Sequence, residues 1–251
     1  LIFFLMLRRP TRSTLVPYTT LFRSQGKKGK GSVIMERLIC VLVGYVFGLI
    51  QTGYIYGKKN GVDLRKKGSG NAGTTNALRT MGWKAGAVTL LGDCFKCVAA
   101  VVVVHLIYGK THTDMMPLLS MYAGMGAVLG HNYPFYLKFK GGKGIAATAG
   151  LIISTTNIWI VLICLAAFIA IVAATRYVSL GSMTVVTIYL ISVIVYGQHG
   201  GFGVENVSYL HEMYGVAAFL MILAFWRHRA NIKRLLSGTE NKISVGGKDK
   251  K

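Results

Sequence analysis

Three short hydrophilic stretches hold most of the polar chemistry of this 251-residue chain: 65-RKKGSGNAGTTNALRTMG-82, 130-GHNYPFYLKFKGGKGIAAT-148 and 226-WRHRANIKRLLSGTEN-241. The first sets Gly70 and Gly73 among Ser69, Asn71, Thr75, Asn76 and Arg79. Glycines let backbone N–H groups approach an anion, and short side chains add neutral donors. An arginine adds a planar fork suited to phosphate or carboxylate. The second stretch centres on Gly141, Gly142 and Lys143, a basic turn opening into an expected helix whose end attracts anions. The third carries His228, Asn231 and Glu240 along an amphipathic segment. Each has a plainer explanation alone: a flexible loop, headgroup contact by Lys138 and Lys140, or a basic tail on anionic lipid. An acid at Glu240 fits the last of these poorly.

Several better-known chemistries are excluded. Gly68, Gly70 and Gly73 spell G-x-G-x-x-G, but a polar basic stretch precedes them where a dinucleotide site needs a buried strand. The Lys143 turn is no Walker A loop: Leu137 stands where the first glycine belongs, and no Ser or Thr follows the lysine. Cys94 and Cys97 form C-x-x-C inside an apolar run, where cysteines behave as small hydrophobes. No metal site is visible and no cofactor is expected.

The elements that must position these stretches are membrane helices. The chain is 53% hydrophobic and only 15% charged, and its charges are clumped between long apolar runs. The net charge of +21 is read as positive-inside bias and headgroup contact, not nucleic-acid binding. Apolar runs fall near 36–57, 85–108, 115–130, 145–174, 179–197 and 209–226. The fourth run is thirty residues long and interrupted by Ser154-Thr155-Thr156-Asn157, so it fits one overlong helix or a hairpin of two. Charge decides between them. Basic loops follow the first and third runs, and a basic tail follows the last, so all three belong on the cytoplasmic side. The chain must then cross evenly between 144 and 227, and the 145–174 run must cross twice. The expectation is an all-α polytopic membrane protein: a compact bundle of about seven transmembrane helices, N-terminus outside, C-terminus cytoplasmic.

Residues 1–34 read as a non-native leader, because PTRSTLVPYTTLFRS looks like translated sequencing-adapter DNA and Met35 opens directly into a span. Residues 35–243 are expected to form the membrane domain, and 244–251 a basic disordered tail.

Taken together, GSGNAGTTNALRTMG, LLGDCFK, GHNYPFYLKFKGGKG and RHRANIKRLLSGTEN resemble the bacterial acyl-phosphate:glycerol-3-phosphate acyltransferase family, called PlsY. The resemblance runs from Met35 to about Ile243 and implies a seven-helix bundle in the cytoplasmic membrane with its site facing the cytoplasm. It implies transfer of an acyl group from a fatty acyl-phosphate to the sn-1 hydroxyl of glycerol 3-phosphate, the committed entry to phospholipid synthesis. The implied partners are those two substrates, membrane lipids and the enzyme that makes the acyl-phosphate; nucleic acid is not among them. Carried over by motif position, Ser69, Arg79, Lys143, His228, Asn231 and Glu240 are the catalytic set. Gly70, Asn71, Gly73, Thr75, Asn76, Gly141 and Gly142 are the substrate-binding set, with the Gly141 and Gly142 amides aimed at the donor phosphate. The family is thought to need no protein base, a substrate phosphate taking the hydroxyl proton. Cys97 departs from the glycine usual there. A carrier for an organic phosphate is the competing class, but the polar groups cluster on one face and no internal repeat is visible.

Overall fold

The computed structural model describes residues 30–243, with side chains from Ile34 onward. Most of the expected leader and the expected tail at 244–251 lie outside the described residues. The chain divides into a short unit, Leu1–Glu36, and a large one, Arg37–Lys251, and the contacts that build the site all lie within the large one.

The described residues form ten α-helices, one 3₁₀ turn and no strand: α1 (Lys30–Gly48), α2 (Thr52–Lys59), α3 (Thr74–Met81), α4 (Trp83–Tyr108), α5 (Met116–Asn132), α6 (Ile145–Thr155), α7 (Ile158–Thr175), α8 (Val178–Gln198), α9 (Val207–Arg227) and α10 (Arg229–Leu236). Five segments are long and apolar enough to cross a bilayer, namely Ile34–Lys59, α4, α7, α8 and α9. α5 has 17 residues and α6 only 11. α4 packs against α2, α3, α5 and α6; α8 packs between α7 and α9; α9 also meets α5.

The run at 36–57 is not one helix. It breaks at residues 49–51, between α1 and α2. Irregular backbone at membrane depth survives only when protein satisfies its polar groups, and side chains do so at this break. The Lys96 ammonium donates to Gly48 O (3.2 Å) and Ile50 O (2.6 Å), Gln51 Nε2 to Gly48 O (3.1 Å), and the Tyr136 hydroxyl to Leu49 O (2.7 Å). Lys96 also bonds Asp93 Oδ1, three residues earlier on the same helix, at 2.8 Å, so this charge pair holds the break as well as the helix. Beside it, α1 and α5 touch backbone to backbone: a Cβ added at Gly44 would lie 1.9 Å from Ala123 O, and one at Gly130 would lie 2.3 Å from Tyr45 O.

The 145–174 run is two helices. Thr155 and Thr156 hydroxyls turn back onto Leu151 O and Ile152 O and finish α6, while Asn157 Oδ1 accepts from Ile160 N and starts α7. α7 exposes Ile158, Trp159, Leu162, Ile163, Leu165 and Ile169, a face suited to lipid. Far from the three polar stretches, Arg37 pairs with Glu212, which also accepts from the Tyr122 hydroxyl, joining α1, α9 and α5.

Candidate functional site

Asn76 builds the first loop. Its Nδ2 donates to Leu64 O (3.0 Å), Lys67 O (3.0 Å) and Asn71 O (2.8 Å), and its Oδ1 accepts from Ser69 N (2.9 Å). Gly68 and Gly70 turn the loop with φ of +58° and +70°, and a Cβ at Gly68 would lie 2.2 Å from Asn76 Oδ1. Asn71 Oδ1 closes a local turn onto Gly73 N, and Leu64 and Ala77 plug the loop from below with Ala85. The sequence reading placed Asn76 against substrate; its amide is instead spent on the loop. Ser69 stands exposed at the loop's edge. Asn76→Ala should strip partners from several backbone groups together and cost about 2–4 kcal/mol, roughly 1–3 for each that stays buried and unmet. A thermal melt in detergent that matched wild type would refute that role.

α3 carries Arg79 out of the loop, and its Nη2 donates to Asn241 O at 3.0 Å, 162 residues away.

The second loop leaves α5 through a 3₁₀ turn, Phe135–Leu137, and passes two residues with positive φ, Lys138 (54°) and Phe139 (59°). It then folds back on the end of α5: Gly141 N donates to Asn132 O (3.2 Å) and Gly142 N to His131 O (3.1 Å). Both glycine amides, expected to face a donor phosphate, are thus engaged by carbonyls at the end of α5. Their carbonyls are used as well, accepting from Arg227 Nη2 at 3.0 and 2.7 Å. Arg227 lies over the Tyr133 ring, 5.1 Å from its centroid. The glycines are required for closeness: a Cβ at Gly142 would lie 1.9 Å from His131 Nε2. His131 is fixed in turn by the Lys96 ammonium, 2.9 Å from Nδ1, and Lys96 by Asp93, which also accepts from Thr52. The turn therefore delivers Lys143 from a rigid base to the start of α6, whose first amides have no partners inside the helix.

The third stretch completes the site. Lys143 Nζ donates to Asn231 Oδ1 at 2.5 Å, and Asn231 Nδ2 donates to Glu240 Oε1 at 2.7 Å. Glu240, only 8% exposed, also accepts from Ser179 Oγ (3.0 Å) and Arg234 Nε (2.8 Å). Burial would raise its carboxyl, but the hydrogen bonds from Asn231, Ser179 and Arg234 prevail and hold it below the usual carboxylate range. The buried His228 shares Nδ1 with Ala224 O at 2.8 Å. A carbonyl can only accept, so the proton sits on Nδ1 and Nε2 keeps its lone pair. Burial, then the neighbouring Lys143 ammonium, push His228 down to about 4, so it is neutral near pH 7. Burial pushes Lys143 down to about 8; Arg234, Arg79 and Arg227 act in the same direction, and Glu240 opposes them.

The structure thus joins Arg79, Lys143, His228, Asn231 and Glu240, drawn from all three stretches. Three further cations, Arg234, Arg79 and Arg227, lie close enough to Lys143 to act on it, and Glu240 is the carboxylate that opposes them. Such an excess of positive charge in a partly dry site is suited to a ligand carrying about two negative charges. Arg227 and Arg234 counted only as tail charge in the sequence, although both sit inside the RHRANIKR motif. Ser179 had no signal at all, being one of many small residues in an apolar run.

The family model for glycerol-3-phosphate acyltransferase matches residues 38–238, which include all three stretches up to Gly238. The chain belongs to this family. Glycerol-3-phosphate acyltransferases similar to it include one from Clostridioides difficile, 44% identical over 211 residues, covering 84% of this chain and 97% of that one. Another, from Halalkalibacterium halodurans, is 42% identical over 208 residues, covering 82% and 94%. Among solved structures, the glycerol 3-phosphate form of PlsY (YgiH), an integral membrane glycerol 3-phosphate acyltransferase, matches with a TM-score of 0.71 at 31% identity, over 83% of this chain and 96% of that one. Its lysophosphatidic acid form matches with a TM-score of 0.69 at 30% identity, with the same coverage. As a member of the PlsY family the chain is a multi-pass membrane acyltransferase.

Proposed function

We propose that this site transfers the acyl group of a fatty acyl-phosphate to the sn-1 hydroxyl of glycerol 3-phosphate, giving 1-acylglycerol 3-phosphate and inorganic phosphate, the first committed step of phospholipid synthesis. The observation that carries the reading is the meeting of Arg79 and Lys143 with Asn231, His228 and Glu240, an anion seat built from three distant stretches. The two solved PlsY forms, one named for glycerol 3-phosphate and one for lysophosphatidic acid, support the pairing of acceptor and product.

In this reading Arg79 and Lys143 hold the phosphate oxygens of glycerol 3-phosphate, each contact contributing about 1.5–3 kcal/mol. The acceptor oxygen attacks the carbonyl carbon of the mixed anhydride, and the carbon–oxygen bond to phosphate breaks. The hydroxyl proton passes to a phosphate oxygen. The leaving group is already good, so positioning and fixed positive charge supply the rate. Neutral His228 and Asn231 orient groups by hydrogen bonding, and the fatty chain lies among the helices or in lipid. Positive-inside bias supports seven crossings, an external N-terminus and a site open to the cytoplasm.

The test is phosphate release from palmitoyl phosphate by purified protein in detergent. Release that depends on glycerol 3-phosphate and yields 1-palmitoylglycerol 3-phosphate is expected. Acylation from palmitoyl-CoA but not from palmitoyl phosphate would overturn the donor assignment.

A further inference from the structure

Beyond α10 the described chain doubles back at Gly238, φ +69°, and lays residues 239–243 across the site as a strap. The strap is fastened from both sides. On one side Glu240 takes hydrogen bonds from Asn231 and Arg234, and Asn241 O takes one from Arg79. On the other side it meets the turn between α7 and α8. Ile243 N donates to Arg176 O at 2.9 Å, Arg176 Nε donates to Ile243 O at 3.1 Å, Lys242 lies over the Tyr177 ring, and Ser179 reaches Glu240. Arg176 holds a φ of 62°, a left-handed backbone that a side-chain-bearing residue adopts at some cost and keeps where its surroundings fix it.

We infer that Arg176 is a positioning residue: by clamping Ile243 it holds the strap over the site, and the strap holds the two cations that meet the acceptor's phosphate. The coupling is direct. Arg79 is oriented by Asn241 O, and Lys143 by Asn231, whose amide is locked by Glu240. A loose strap frees Arg79 and lets Asn231 turn, so the seat loses its shape while the helices keep theirs. Loss of a fixed seat weakens ground-state binding first.

The inference rests on the acyltransfer reading only for its substrate. Its test uses the double variant Arg176→Ala/Ile243→Pro, which removes both clamp donors, beside Arg176→Lys, which keeps one. Glycerol 3-phosphate binding is measured calorimetrically, amide hydrogen exchange is followed over residues 239–242, and turnover with palmitoyl phosphate is run in parallel. The double variant should exchange faster in that segment only and melt as wild type does. Its Kd and KM for glycerol 3-phosphate should rise about five- to twentyfold, the effect of losing two modest hydrogen bonds, with kcat within about twofold. Arg176→Lys should fall between the two. Unchanged exchange, or faster exchange with unchanged affinity, overturns the inference. Wild type that binds the acceptor without transferring acyl groups overturns the reaction and leaves the strap standing; wild type that binds no acceptor overturns the strap's role as well.

Discussion

Lys143→Ala is expected to lower kcat/KM about a thousandfold or more, the scale seen when a fixed charge is removed from a dry site. Lys143 is the ammonium nearest the junction of the second and third stretches, and no neighbour can substitute for it. Arg79 already makes its own phosphate contact in this reading, Arg227 is tied to the Gly141 and Gly142 carbonyls, and Arg234 to Glu240. Its removal also leaves Asn231 Oδ1 without its donor. The same residue sets a pH limb. With Lys143 pushed down to about 8, the free enzyme holds the charge below that pH and loses it as pH rises. kcat/KM for glycerol 3-phosphate should therefore fall above about pH 8. A bound phosphate favours the ammonium, so kcat should fall only at higher pH. Lys143→Arg, if it retains activity, should shift the limb upward. A flat profile from pH 7 to 9.5 would show that Lys143 carries no charge the acceptor needs.

The second large effect is expected at a residue with no functional group. A Cβ at Gly141 would stand 2.0 Å from His131 O and 2.6 Å from Pro134 Cδ. Neither obstacle is the free end of a flexible chain, so Gly141→Ala must move the turn that delivers Lys143. A shift of about 1 Å at a reacting group costs about a hundredfold in rate, and kcat/KM should drop by at least that. Gly215 serves as the control: it lies exposed in α9, and outside its own stretch of helix backbone no heavy atom lies within 4 Å of an added Cβ. Gly215→Ala should be neutral or gain up to about 1 kcal/mol from helix propensity. Equal activity of Gly141→Ala and Gly215→Ala would remove the argument for a tightly built turn.

Much of this was legible because membrane helices are written in long runs and their loops in charge. The division of 145–174 followed from counting sides, and Thr156-Asn157 marks the place. The break at 49–51 was not legible: Leu49-Ile50 continues the apolar run, and the groups that satisfy its carbonyls, Lys96 and Tyr136, lie far along the chain. The site residues were named through four blocks of motif, but their individual duties were not. Asn76 looks like any loop amide until its four partners are seen, and a glycine-rich turn says nothing about which way its N–H groups face. Arg176 and Ser179 were hidden for another reason: each has a partner more than sixty residues away.

That separation bears on biogenesis. Arg79 waits for Asn241, Lys143 for Asn231, and Ser179 for Glu240, so each of these three ties needs residues beyond position 230. A ribosome threading this chain into a membrane would build the helices in order while the seat stayed open. The seat would gain these ties only once residues 231–241 had left the exit tunnel and folded against the earlier stretches.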